Sequence, residues 1–263
     1  MDDAAAGSTS YHGLPIEQFR IVDNFRDPFF FKWVSRGQGA QPWFGRPSEK
    51  DSHRKWVGSD AASGLPFENS CYFQLEFLIA RGLSPGDQFM DIGCGCLRGG
   101  RHFIDYLDAG RYYGVDISAE VVYRGVRLEL GVEKFVQKKP EFVVSNCFDF
   151  SSFDRPPAYV FAGSLFTHLP MEDIQCCFQR LGVLTRGAHV EFFATFSESP
   201  GRSEHPVVNH YLGGNIPITF CRDEMFEAAS VCGWNAEYLG AWGHPKNELQ
   251  GTYREQMMFR FHK

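Results

Sequence analysis

Long apolar runs are missing from this chain of 263 residues. The longest stretch without Asp, Glu, Lys or Arg is His205 to Cys221, and it holds two His, two Asn and two Pro. It is too short and too polar to cross a bilayer, so no membrane partner is expected. The first residues, Met1-Asp2-Asp3-Ala4-Ala5-Ala6-Gly7-Ser8, have neither the basic start nor the apolar stretch of a secretory signal, and a cytoplasmic location is expected. Positive charge is not in excess: 26 Lys and Arg stand against 32 Asp and Glu, a net charge of −6. That argues against a nucleic-acid partner, because tracking phosphates needs a basic surface. Cysteine is sparse, with eight at positions 71, 94, 96, 147, 176, 177, 221 and 232. In a chain this long and without a signal, reduced thiols are expected. Cys94 and Cys96 lack a second ligand pair at zinc-finger spacing, so they read as loop residues and no metal is assigned. No internal repeat or low-complexity tract is present.

What the chain has in plenty is aromatic side chains: Phe 26, Tyr 10 and Trp 5, or 16% of residues. Rings at that density fill a large core or line clefts. From Tyr11 to Pro66 they come in clusters without a sustained period (Phe29-Phe30-Phe31, Trp33, Trp43-Phe44, Trp56), and residues 1–66 read as an N-terminal cap on a main domain of residues 67–263. From Asn69 the pattern becomes regular. Helices are expected over Asn69–Arg81, Gly99–Leu107, Ala119–Leu130, Met171–Leu184 and Arg222–Cys232. Strands are expected at Gln88–Ile92, Tyr112–Val115, Phe142–Ser145, Tyr159–Ala162, His189–Phe196, Ala236–Ala241 and Met257–Phe261. Elements that alternate in this way imply an α/β fold, a Rossmann-like, mostly parallel sheet covered by helices on both faces.

The most informative run is Phe89-Met90-Asp91-Ile92-Gly93-Cys94-Gly95-Cys96-Leu97-Arg98-Gly99-Gly100. An apolar strand enters a glycine turn and then a helix, so backbone N–H groups can approach a ligand with no side chain between them. Asp116 follows at the end of the next strand, where a carboxylate can accept ribose hydroxyls. A dinucleotide fingerprint would place its third glycine one residue earlier than Gly99. Asp91, just ahead of the turn, would repel a pyrophosphate but can organise a loop around an ammonium group. S-adenosylmethionine fits this pattern better than NAD.

On these residues the chain resembles the class I S-adenosylmethionine-dependent methyltransferases. More narrowly, it is similar to a bacterial small-molecule subgroup carrying runs like Asp91-Ile92-Gly93-Cys94-Gly95, Leu97-Arg98-Gly99-Gly100 and Tyr112-Tyr113-Gly114-x-Asp116. Further runs of the same kind are Phe148-Asp149-Phe150-Ser151-x-Phe153, Ser164-Leu165-Phe166-Thr167-His168-Leu169-Pro170, Ala194-Thr195-Phe196 and Trp242-Gly243-His244-Pro245. The resemblance covers about His53 to Phe261. It implies a seven-stranded sheet with the last strand antiparallel, and S-adenosyl-L-methionine as cofactor. It also implies that Asp91, Gly93, Cys94 and Gly95 shape the methionine end of the site, that Asp116 holds the ribose and that Ile117 covers one adenine face. Asn146, Cys147 and Phe148 would border the adenine, at an edge where the family often has an acid, and Ser164 and Leu165 would lie beside the sulfonium.

The expected activity is methyl transfer to a small molecule, a hydroxyl of a sugar or natural product. A small amine is the alternative acceptor, and a non-catalytic S-adenosylmethionine-binding module is the alternative from another class. His168 is the candidate general base for a hydroxyl, against a plain reading as a helix-entry residue beside Pro170. His210 and Tyr211, in the irregular stretch from Ser197 to Thr219, and Trp242 and His244 near the end are candidate substrate contacts. His205 and His210, which would need a carboxylate partner such as Glu198 or Glu204 to hold a metal, have a spacing that matches no firm metal motif, and His53-Arg54-Lys55 reads either as an anion clamp or as a solvated surface. Of the 26 Phe, 13 fall on expected strands and helices as core candidates. Those at 148, 150, 153 and 166 fall after the third and fourth strands, and are expected to line the cleft.

Overall fold

The computed structural model describes residues 10–11, 13–15, 18–22, 71–202, 218–242 and 256–263. Two short strands, β1 (Ser10–Tyr11) and β2 (Leu14–Pro15), form a small antiparallel hairpin. The next strand, β3 (Phe19–Ile21), joins the main sheet. The regular alternation then follows as α1 (Tyr72–Ile79), β4 (Phe89–Ile92), α2 (Gly100–Tyr106), β5 (Tyr112–Asp116) and α3 (Ala119–Arg124), which continues as a widened turn over Gly125–Leu130. After it come α4 (Val132–Lys138), β6 (Glu141–Val144), β7 (Tyr159–Ala162), α5 (Met171–Leu184), β8 (Glu191–Glu198), β9 (Thr219–Phe220), α6 (Arg222–Val231), β10 (Asn235–Ala241) and β11 (Gln256–His262).

The strand order is β10-β11-β8-β7-β4-β5-β6-β3, with β9 on the end of β8. All pairings in this sheet are parallel except those of β11, which runs antiparallel to both β8 and β10. The expected seven strands are present in the expected sense, with the antiparallel strand last in the chain. The sheet has nine among the described residues because two short strands add to it. One of them, β3, comes from the segment read as a cap. It covers the free side of β6 in the register Phe19↔Phe142, Arg20↔Val143 and Ile21↔Val144. Phe19 is buried there, and Arg20 pairs with Glu141 and the Ser152 carbonyl.

Successive residues of a strand face opposite sides, and the sheet separates two cores accordingly. Phe89, Tyr112, Phe142 and Phe193 pack under α1, α2, α3 and α4 with Phe103 and Phe135. Met90, Ile92, Tyr113, Val160 and Phe192 pack under α5 and α6. Helix α5 has Pro170 as N-cap and Glu172 and Asp173 in its first turn, where the helix dipole favours negative charge. Its buried stripe is Ile174, Cys177, Phe178 and Leu181, the spacing of one helical face. Trp234 closes this core by donating Nε1–H to the Phe178 carbonyl at 3.0 Å.

Candidate functional site

The strand order reverses at β4: from it the chain crosses to β5 and β6 on one side, and to β7 and β8 on the other. Connections leaving in opposite directions open a crevice at the carboxyl ends of β4, β5 and β7, where α/β sheets hold ligands. The glycine turn starts there. Gly93 (φ +78°) and Gly95 (φ +53°) lie in the left-handed region, which favours glycine. A Cβ on Gly95 would meet nothing closer than the Gly93 carbonyl oxygen at 4.0 Å, so the loop presents bare backbone to open space.

Asp116 ties this loop to the next strand. Its carboxylate accepts the Gly95 N–H at 2.8 Å and the Ser118 N–H at 3.0 Å. The surrounding protein pushes its pKa up, while the amides of Ser118, Gly95 and Ile117 pull against that shift. Gly93 and Cys94 donate their N–H groups to the Val115 carbonyl at 2.7 and 3.0 Å. The turn after β4 is thereby fastened along the end of β5.

Asp91 is buried beneath the turn and accepts the Tyr112 hydroxyl at 2.8 Å. Burial raises its pKa to about 7; the Tyr112 bond lowers it in part and nearby Asp116 raises it further. An unfolded Asp titrates near ~3.9. The folded state therefore holds the proton more tightly, and Asp91 contributes stability that is fully present at low pH and is lost as pH rises through about 7. Replacing Asp91 with Asn keeps an acceptor for Tyr112 and removes the titration. In thermal melts the variant is expected to gain on the wild type between pH 5 and pH 8.5; a constant difference across that range would refute this assignment.

After β6, Ser145 builds the next turn. Its hydroxyl accepts the N–H groups of Cys147 at 3.2 Å and Asp149 at 3.1 Å, and its own N–H reaches the Asp116 carbonyl at 2.9 Å. Asn146 is exposed, Cys147 and Phe148 are partly exposed, and Phe148 takes φ +56°. After β7, Leu165 packs where a Cβ on Gly93 would be, 3.1 Å away, so the loops following β4 and β7 meet. Gln74 of α1 lies between them: a Cβ on Gly163 would sit 3.3 Å from its Nε2. The turns after β4, β6 and β7, with the end of β5, bring Gly93, Gly95, Asp116, Ser145, Cys147, Ser164 and Leu165 to the carboxyl end of the sheet. Ile117 is partly exposed just past Asp116.

Cys94 is buried, its Sγ directed toward Gly114, and burial with two neighbouring carboxylates holds its thiol well above the usual range. His168 stands exposed on a short turn, Phe166–His168, its backbone N–H bonded to the Leu165 carbonyl at 2.9 Å. Trp242 is 4% exposed and packs in the core against Phe77 (4.8 Å) and Phe73 (5.2 Å). His210, Tyr211, His244, His205 and the His53-Arg54-Lys55 cluster lie outside the described residues. The expectation for the four phenylalanines needs correction. Phe150, Phe153 and Phe166 are buried: Phe153 stacks on Tyr113 at 4.1 Å, and Phe166 meets Phe178 and Phe192 edge-on. Only Phe148 among the four is partly exposed. Ser145 and Gln74 were not visible beside this crevice in the sequence, nor were Thr195, whose Oγ1 accepts the Ser164 N–H at 2.6 Å, and Gln256, whose Oε1 accepts the Ser164 hydroxyl at 3.0 Å; the cues were Ser145 ending its strand ahead of Asn146 and Thr195 lying in the run Ala194-Thr195-Phe196.

No protein-family model matches the sequence, and no curated protein matches it either. Solved structures do. The chain is similar to magnesium protoporphyrin IX methyltransferase from Synechocystis with bound S-adenosylmethionine, at 14% identity over 90% of this chain and 92% of that one, with a TM-score of 0.54. It is similar to an S-adenosylmethionine-dependent methyltransferase from Aquifex aeolicus, at 14% identity over 81% and 97% of the two chains, with a TM-score of 0.52. A glycopeptide N-methyltransferase complexed with S-adenosylmethionine matches at 10% identity over 72% and 92%, also with a TM-score of 0.52. These likenesses show that the fold is that of the class I S-adenosylmethionine-dependent methyltransferases. Among the described residues, no helix is long and apolar enough to cross a membrane, and no group of three or more His, Cys, Asp or Glu is placed to hold a metal.

Proposed function

We propose that this protein transfers a methyl group from S-adenosylmethionine to a small molecule. One observation carries the reading: Asp116, at the end of β5, joined to the bare glycine turn through the Gly95 amide. The residues present fit the cofactor. Gly95 leaves the space a backbone-hugging ligand needs, Asp116 is a partly exposed residue whose oxygens can accept from ribose hydroxyls, and the Ser145 turn next to it supports a purine site there.

In this reading Asp116 accepts the ribose hydroxyls. Ile117, Asn146, Cys147 and Phe148 border the base, and Gly93, Cys94 and Gly95, with Asp91 beneath them, shape the methionine end. Ser164 and Leu165 stand beside the reacting centre. When bound, S-adenosylmethionine supplies an already electrophilic methyl on a sulfonium. The chain's task is therefore to position the acceptor in line and to exclude water. For a hydroxyl acceptor, the favoured reading, His168 takes the proton as general base. A small amine attacks in its neutral form and needs no such base. His210, Tyr211 and His244 are proposed to meet the acceptor.

Isothermal titration with S-adenosylmethionine tests the cofactor assignment, and a purified protein that binds none would refute it. Incubation with methyl-labelled cofactor and small-molecule extracts, read by mass spectrometry, then finds the acceptor. With a hydroxyl acceptor in hand, His168→Ala is expected to lower kcat about a hundredfold or more, within the usual range for general-base catalysis. An unchanged rate would remove His168 from the mechanism.

A further inference from the structure

Gly125 stands at the first position of the widened turn Gly125–Leu130 that continues α3. Its φ of −58° and ψ of −47° are ordinary helical values open to any residue, and glycine inside a helix costs stability. Space accounts for it instead. A Cβ on Gly125 would lie 2.5 Å from the carbonyl carbon and oxygen of Cys96 and 2.8 Å from its Cα, backbone atoms that no rotamer change can move aside. The helix after β5 therefore seats directly on the main chain of the glycine turn, at the residue following Gly95. A widened turn of this kind, closed here by the Gly131 N–H on the Val126 carbonyl at 2.8 Å, is rare and is found mostly where a helix serves a site.

Two further observations fall on the same piece of chain. Leu97, next after Cys96, has φ +62°, a left-handed angle that strains a non-glycine residue and persists only where the surroundings enforce it. Its side chain is wholly buried, and its N–H returns to the Cys94 carbonyl at 3.1 Å. Beyond it, Arg101 in the first turn of α2 donates Nη1–H to Glu129 Oε2 at 3.3 Å, and the Glu129 side chain is fully buried. The widened turn thus holds the chain on both sides of Leu97, at Cys96 through Gly125 and at Arg101 through Glu129. Asp116 and Val115 fasten the first half of the glycine turn; this second hold fastens the other half. We propose that Gly125 and Glu129 are positioning residues that set the glycine turn for the amino-acid end of S-adenosylmethionine. The inference rests on the methyltransferase reading, and adds to it a determinant of cofactor affinity that acts through the turn.

Two nucleosides test it by calorimetry on the full chain. S-adenosylhomocysteine carries the amino-acid end, and 5′-methylthioadenosine has the same nucleoside and a thioether without it. Their affinity ratio isolates what the turn contributes at that end, and a general loss of stability leaves it unmoved. Gly125→Ala drives a methyl group into the Cys96 backbone. It is expected to weaken S-adenosylhomocysteine about tenfold or more, ~1.4 kcal/mol and within the cost of overpacking, while 5′-methylthioadenosine stays within about threefold. Glu129→Gln keeps the shape and removes the charge that holds Arg101; it is expected to lower the same ratio about threefold or more, and decides the matter should Gly125→Ala not fold. Phe226→Ala, beside Phe259 under the other face of the sheet, is the control and is expected to leave the ratio unchanged. A wild type that binds the two nucleosides alike, a ratio unchanged in a folded Gly125→Ala or in Glu129→Gln, or a ratio that falls as far in Phe226→Ala overturns the proposal. If the wild type binds neither nucleoside, the methyltransferase reading itself fails.

Discussion

Asp116→Ala is expected to abolish measurable S-adenosylmethionine binding in a titration where the wild type binds. The carboxylate has two tasks at once. In the proposed reading it receives the ribose, and it fastens the glycine turn to β5 through the Gly95 and Ser118 amides. Hydrogen bonds to a charged group are worth about 1.5–3 kcal/mol each, so losing those to the ribose alone weakens binding on the order of a hundredfold. Freeing the Gly95 amide adds the cost of a loop no longer set for its ligand. Asp116→Asn sharpens the test. Its side chain has the same shape, but one of its two oxygens becomes an NH2 group, which cannot accept from an amide N–H or a ribose O–H. It too is expected to lose about tenfold or more. Titration of both variants, with melting curves to show that they fold, checks the expectation; wild-type affinity in either would displace Asp116 from the site.

The largest stability loss is expected at Phe178. Its ring lies 4.7 Å from Phe261, 5.9 Å from Phe166 and Phe192, and 6.1 Å from Trp234, and the side chain is fully buried. Phe178→Ala removes the ring from the centre of a cluster drawn from α5, β8, β11 and the turn before α5. These elements cannot all collapse into the gap, and a buried Phe→Ala change costs about 3–5 kcal/mol. For a chain of this size that lowers the melting temperature by roughly 10 °C. Phe226→Ala makes the comparison, because that ring is 39% exposed on α6, and it is expected to cost less than half as much. Equal losses for the two would contradict the burial argument.

How much of this was legible in the sequence depended on how local each signal is. The turn from Gly93 to Gly95 and its partner Asp116 could be read, because strand, glycine and acid follow one another within one βαβ unit. Helix α5 could be read to its ends, since Pro170 marks the start and the Ile174-Phe178-Leu181 spacing marks the face. Helix α4 was missed because its seven residues bury only Phe135. Strand β3 was missed because three residues among aperiodic aromatics have no pattern to show. The contacts of Ser164 were out of reach, since Gln256 lies 92 positions away and Thr195 lies 31 away. Phe150, Phe153 and Phe166 were misplaced for a related reason. They follow strand ends, where cleft residues sit, but the chain there turns back under the sheet, and only tertiary packing decides which way a ring faces.

Strand β3 has a consequence for the order in which the molecule is made. Phe19–Ile21 is synthesised before every other strand of the main sheet, yet its neighbour β6 is far later in the chain: Gln18, just before it, bonds to the Pro140 carbonyl 122 positions on. At about 5–20 residues per second, a ribosome takes roughly 6–24 s to bring the two together. Throughout that interval the first-made strand has no place to dock, and β6 emerges with its outer side open until it does. A chain shortened to the start of the regular alternation would keep that side open for good, leaving Phe142, Val143 and Val144 on an unpaired border of the kind that recruits other chains. Strand β3 thus acts as a built-in closing strip, held in reserve until β6 has been made.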